Sequence, residues 1–251
     1  MKRTIGTAIF AAALCASLTS APARGEDAFT TDFRIEDCEL EPSGRNAYFS
    51  LIPGDQLVLS GEDDGEEVVV QITVLPKKRT ITFTTERGKV LRVKARVVEE
   101  REWEDDELVE VSRNYFARCD QTGDIFYFGE AVDIYEDGEI VSHDGAWLAG
   151  VGGAQPGVIM PGSYMLGARY FQERAPGAMD RGEHTAMGLT VMTPAGTFHD
   201  CVEVIETSPL EPGHESLKRY CPGIGLVQDG DAVLEEFDLH RGGDDDDEEG
   251  D

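Results

Sequence analysis

Apolar side chains recur at every second position through much of this chain, and that period strongly restricts its secondary structure. Val68, Val70, Ile72 and Val74 alternate with Glu67, Val69, Gln71 and Thr73. Ile81 and Phe83 stand among Thr80, Thr82 and Thr84, and Leu91, Val93, Ala95 and Val97 interleave with Arg92, Lys94 and Arg96. Successive side chains of a strand point to opposite faces, so each run reads as a strand with one dry and one wet face. A helix needs apolar residues three and four apart over ten or more positions, and no long stretch keeps that spacing through the Gly and Pro punctuation.

Turn residues fall between these runs, at 62–65, at Asp105-Asp106, at 120–123, and at Asp137-Gly138 between 132–135 and 139–142. Asp-Gly readily takes the positive φ angles of a two-residue hairpin. The pattern predicts an all-β fold, an antiparallel meander curled into a barrel or sandwich, because an open sheet of so many strands would leave unpaired edges. Residues 145–163, with Gly145, Gly150, Gly152, Gly153, Gly157 and Gly162 beside Pro156 and Pro161, read as one long Gly/Pro-rich loop crossing an end of the sheet. A phosphate cradle there would require a following helix, which the two prolines oppose.

The first residues have the parts of an export signal. Lys2 and Arg3 precede the apolar run 5–18, and Ala21-Pro22-Ala23 offers small side chains to a peptidase. Residues 1–23 are therefore expected to be a cleaved signal peptide, 24–241 a single β-rich domain and 242–251 a disordered acidic tail. The apolar run is shorter than the ~20 residues that span a bilayer, so no transmembrane segment is expected after cleavage. Cys15 belongs to the discarded segment, and the expected location is periplasmic or secreted.

The full chain has 50 Asp plus Glu against 22 Lys plus Arg, a formal net charge of −28. Nucleic acid and anionic lipid are poor partners for such a surface. The acidity reads chiefly as a solubility device, with divalent-cation binding by the tail as the competing reading.

Four cysteines lie beyond the signal: Cys38, Cys119, Cys201 and Cys221. An even number in an exported chain points to disulfides. If Cys201 faces Cys221 in an antiparallel hairpin, the register sets Glu203 opposite Arg219 and Ile205 opposite Leu217 on one face, with Val202 opposite Tyr220 on the other. One register thus yields a bridge, an ion pair and an apolar pair. Cys38 is left to pair with Cys119. A four-cysteine zinc site would start from a close Cys-x-x-Cys, which the sequence lacks.

The sequence has no G-x-S-x-G, S-x-x-K or H-E-x-x-H. The five histidines, His143, His184, His199, His214 and His240, read as surface residues at turns and strand ends. Glu130, Asp133, His143 and Asp144 gather around one predicted hairpin, a carboxylate and imidazole set suited to Ca²⁺, a transition metal or proton transfer. Met160, Met165, Met179, Met187 and Met192 with His184 offer soft ligands for copper, or core filling. Tyr115, Tyr127 and Trp147 are the aromatic residues expected to line an interior that holds a small apolar ligand.

Several blocks carry a family resemblance. They are Asn46-Ala47-Tyr48-Phe49 leading to Pro53-Gly54, the 97–111 hairpin with Glu107-Leu108-Val109-Glu110, Tyr127-Phe128-Gly129-Glu130, and Asp137-Gly138 followed by Ser142-His143 and Gly145-Ala146-Trp147. Pro156-Gly157 with Met160-Pro161, 170–173 followed by Ala175-Pro176-Gly177, 193–198, 209–213 and 220–227 continue it. On these blocks the chain resembles a family of bacterial exported β-rich proteins that has no assigned activity. The resemblance implies no catalytic residue. This chain departs from the family pattern at Asp105-Asp106, where Asp-Gly is usual, and at Cys221, where alanine is usual.

The expected function is therefore that of a non-enzymatic, ligand-binding β-domain for a small apolar molecule or a metal ion. An enzyme using Glu130, His143 and Asp144 is one alternative. An envelope-associated structural protein with a cation-binding tail is the other.

Overall fold

The structure is a computed structural model that describes residues 29–63 and 65–240. The expected signal peptide and the acidic tail lie outside those residues. The strands are β1 (Leu40–Glu41), β2 (Gln56–Asp63), β3 (Glu66–Thr84), β4 (Val90–Glu104), β5 (Glu107–Cys119), β6 (Ile125–Glu136), β7 (Glu139–Ser142) and β8 (Trp147–Leu148). They continue with β9 (Gln155–Met160), β10 (Arg169–Phe171), β11 (Glu173–Arg174), β12 (Arg181–Thr193), β13 (Gly196–Thr207), β14 (Glu215–Cys221), β15 (Gly225–Asp229) and β16 (Ala232–Asp238). Among the described residues the helical content is one 3₁₀ turn, Ile35–Asp37.

All named strands belong to one antiparallel arrangement of order β10-β12-β13-β14-β15-β16-β2-β3-β4-β5-β6-β9-β11, with β1 on β5 and with β7 and β8 on β6. The all-β antiparallel fold expected from the alternation is thus the fold observed. The ladder does not close into a barrel. Its two ends, β10 and β11, are separated in the chain only by Gln172, so the segment 169–174 leaves the β12 edge and joins the β9 edge.

The hairpins form where the turn residues place them. Asp105 and Asp106 take φ of 47° and 69°, and Asp137 and Gly138 take 53° and 76°. Two successive positive φ values match the right-handed twist of the flanking strands, and Asp tolerates them better than most side chains.

The segment 145–163 differs from the expected crossing loop. It contributes β8 and β9 to the sheet, and β9 lies between β6 and β11. The reason is local. A Cβ on Gly157 would stand 2.2 Å from the Phe171 carbonyl oxygen, so glycine lets the crossing segment pass close enough to pair. Pro156 lies opposite Glu173 in a two-residue ladder that demands few donors.

Both faces of β4, β5 and β6 are buried. Val97, Tyr115, Phe126 and Phe128 occupy one face, and Phe33 meets Phe126 there edge-on at 6.2 Å between centroids. The N-terminal segment covering that face is held by Cys38–Cys119, while buried Arg96, in the phase of Val98, donates to its Pro42 carbonyl at 2.8 Å. Val98, Asn114, Phe116 and Tyr127 project from the opposite face. The β3–β4 register shifts by two residues between Val74 and Lys78, around Pro76, which keeps the phase of β3 while its apolar positions pass from even to odd. Ile72 and Val74 therefore share the face of Val98, while Ile81 and Phe83 share the face of Val93.

Both predicted disulfides are present. Cys38–Cys119 closes a separation of 81 residues and Cys201–Cys221 one of 20. The β13–β14 register pairs Val202 with Tyr220, Glu203 with Arg219 and Ile205 with Leu217, as the cysteine spacing requires. Arg219 and Glu203 form an ion pair at 2.8 Å. Cys201 and Cys221 sit in a second apolar cluster with Leu59, Val227 and Leu234.

Candidate functional site

The face bearing Phe116 and Tyr127 lines a half-open cavity of ≈ 190 Å³ within the curled sheet. Its apolar wall comes from Leu57 on β2, Ile72 and Val74 on β3, Val98 on β4, Phe116 on β5 and Ile159 on β9. These residues share one phase of their strands: Val74 is directly opposite Val98, and Leu57 opposite Ile72.

The opposite wall is polar. Val202 and Val204 set the inward phase of β13, and Glu206 follows in the same phase. Lys218 and Tyr220 do the same on β14. Lys218 reaches Asp229 at 2.5 Å and Glu206 at 3.6 Å. Gln172, the residue at which the chain passes between sheet edges, is buried and donates to Glu206 at 2.5 Å. Glu173 is 2 % exposed and accepts the Asp180 backbone N–H at 2.6 Å. Tyr127 donates to Asn114 at 2.5 Å, and Asn114 to Ser112 at 3.2 Å.

Withdrawal from water governs the ionisation of this wall. Desolvation raises Glu100 to about 8, only partly offset by the Lys218 charge. Desolvation lifts Glu130 to about 7, opposed in part by the neighbouring Tyr127 and Ser112 hydroxyls. Glu173 is held well above the usual carboxylate range by burial and by Asp180, and burial also raises Asp180 and Glu206. Lys218 moves up despite its burial, because Glu206 and Asp229 hold its proton. The wall is thus a set of carboxyl groups, several of which burial pushes toward the protonated form, around one ammonium paired with Glu206 and Asp229, able to hydrogen-bond a ligand or to exchange a proton for a cation.

The residues singled out from the sequence separate. Tyr127 lines the cavity. Tyr115 lies on the other face, where its hydroxyl accepts from Arg79 at 2.6 Å, and its neighbour Phe116 takes the cavity position. Trp147 packs edge-on against Tyr127 at 5.1 Å, and its indole N–H has no hydrogen-bond partner among the described residues.

The Glu130, Asp133, His143 and Asp144 group is divided by strand parity. Glu130 shares the face of Tyr127 and Ser112, whose hydroxyl groups lie beside its carboxyl group. Asp133, three residues on, is on the reverse face, 2.8 Å from Arg113 and 3.0 Å from the mostly exposed His143. Asp144 is exposed. Among the described residues no group of three or more His, Cys, Asp or Glu is arranged to hold a metal ion.

His184 departs from the expected surface position. It is 1 % exposed, stacked on Tyr164 at 3.9 Å between centroids, and burial lowers its pKa to about 4. Met160 is buried, whereas Met165, Met187 and Met192 are exposed, so these methionines do not share one environment.

Glu100, Glu173, Asp180, Glu206, Lys218 and Asp229 were not singled out from the sequence. The available signal was phase: Glu206 continues the Val202, Val204 series, and Glu100 follows Val98.

Among the described residues no helix is long and apolar enough to cross a membrane. In comparison with known proteins, the chain matches no family model, no curated protein and no solved structure.

Proposed function

We propose that this protein is a binding domain whose curled sheet holds a small, mainly apolar ligand in the interior cavity. The observation that carries this reading is the composition of the cavity wall: Leu57, Ile72, Val74, Val98, Phe116 and Ile159 on one side, and hydrogen-bonding carboxyl groups on the other. Ligand sites commonly combine a predominantly apolar lining with a few convergent polar groups. The separation of Glu130 from His143 and Asp144 favours binding over catalysis by that set.

The blocks behind the family resemblance also meet here, contributing Tyr48, Phe49, Tyr127, Glu173 and Tyr220 to the wall. We assign the chain to that group of exported β-proteins and to the periplasm or the extracellular medium. Two disulfides and the signal-like start support that location. The net charge of −28 argues against a nucleic-acid partner.

Native mass spectrometry of protein purified from its own host tests the reading. The expected result is a co-purifying small molecule that is lost on substituting Val98→Trp, with the fold retained by circular dichroism. A ligand retained by that variant would contradict the reading.

A further inference from the structure

Six carboxyl groups line the cavity, on Asp55, Glu100, Glu173, Asp180, Glu206 and Asp229, against a single ammonium, Lys218. Most are engaged by the protein itself. Asp55 accepts from Ser50 at 2.5 Å and from the His240 backbone N–H at 2.6 Å. Lys218 holds Asp229 and Glu206, and Glu173 is tied to Asp180. Glu100 differs: its carboxyl group makes no hydrogen bond or ion pair with any described residue. It lies directly across from Ile72 and two residues beyond Val98 on the cavity face, where the polar and apolar walls meet.

A carboxylate drawn out of water without a partner is costly, and a group so placed keeps its proton instead. An entering cation removes that cost. The Glu100 proton leaves to solvent as the cation takes its place, so the net charge of the cavity is unchanged. An anion would meet only Lys218, already paired, among carboxyl groups that repel it. A neutral amphiphile would have no use for Glu100 as an ion.

We propose that the cavity ligand carries a protonated primary amine on an apolar body, with the ammonium at Glu100 and the body along Ile72, Val74, Val98 and Phe116. This rests on the cavity being the ligand site, and the two ideas separate in one experiment. Isothermal titration calorimetry at pH 7.5 on the full chain would compare octylamine, octanol and octanoate, with the amine repeated in buffers of different ionisation enthalpy.

Octylamine is expected to bind at least about 10-fold tighter than octanol, in line with a charge-assisted hydrogen bond, and with proton release. Octanoate is expected to bind most weakly. Glu100→Gln, which breaks no protein contact, should weaken octylamine about 10-fold and leave octanol unchanged. Octanol or octanoate binding as well as octylamine would overturn the amine while leaving the cavity reading intact. So would equal loss of amine and alcohol in the variant. Failure of all three to bind would overturn both. Should the variant not fold, the order of the three probes on the wild-type chain decides.

Discussion

The two faces of β4, β5 and β6 are built from adjacent residues and behave as different materials. Val97, Tyr115 and Phe126 look one way, into a face closed by the N-terminal segment. Val98, Phe116 and Tyr127 look the other way, into a cavity that ends on carboxyl groups. A strand reverses direction with every residue, so one short sequence can supply a packed core and a binding surface back to back. The closed face holds the fold, which leaves the open face free to keep an unfilled volume and costly buried charges.

The covering segment offers the largest test of that division. Replacing Cys38 and Cys119 together by serine should cost roughly 4 to 5 kcal/mol in the chain-entropy picture, against roughly 3 kcal/mol for Cys201 and Cys221. Urea unfolding of both variants measures the difference, and equal losses would remove the special place given to the cover.

Paired truncations come next. Phe126→Ala on the closed face should cost about 3 to 5 kcal/mol. Phe116→Ala, beside an existing cavity, should cost about 1 to 3 kcal/mol because fewer neighbours lose contact. Chemical denaturation reads both, and a reversed order would contradict the assignment of open and closed faces.

Glu100→Gln sharpens the electrostatic half. The group keeps its proton to about 8 when folded, against an ordinary value of 4.5. The folded state therefore binds more protons than the unfolded state across that window, and stability falls as pH rises from about 4.5 to 8. The glutamine variant should lack this contribution. At pH 8 to 9 it should be more stable than wild type by about 1 to 3 kcal/mol, with little difference near pH 4. Thermal melts across pH would show it.

The smallest effect belongs to the outer hairpin. His143 is mostly exposed and meets Asp133 on the reverse face of β6, so His143→Ala should change stability by less than about 0.5 kcal/mol. Added Ca²⁺ or Zn²⁺ should leave the melting temperature of both chains unchanged. A rise lost in the variant would restore the metal reading of that hairpin.

Much of the fold was legible because period two, the turn residues and the cysteine spacing agree. The Cys201–Cys221 register fixed the β13–β14 hairpin residue by residue. The segment 145–163 was less legible, because its strand depends on Gly157 meeting the distant crossing segment, a tertiary condition without a local signature. The cavity was legible in part. Tyr127 was found, but Tyr115 was chosen over Phe116, since alternation shows that neighbours diverge without showing which face is closed by a remote segment. Glu100, Glu206 and Lys218 were hidden among the other charges of a highly charged chain, and only their phase marks them as inward.

The most direct test of the ligand-binding account is methyl-resolved NMR of the labelled protein during separate titrations with octylamine and octanol. Shifts confined to Leu57, Ile72, Val74, Val98 and Ile159 are predicted, with Val93 and Val97 on the closed face unmoved. An unchanged spectrum with both, or shifts concentrated at exposed Met165, Met187 and Met192 instead, would contradict it.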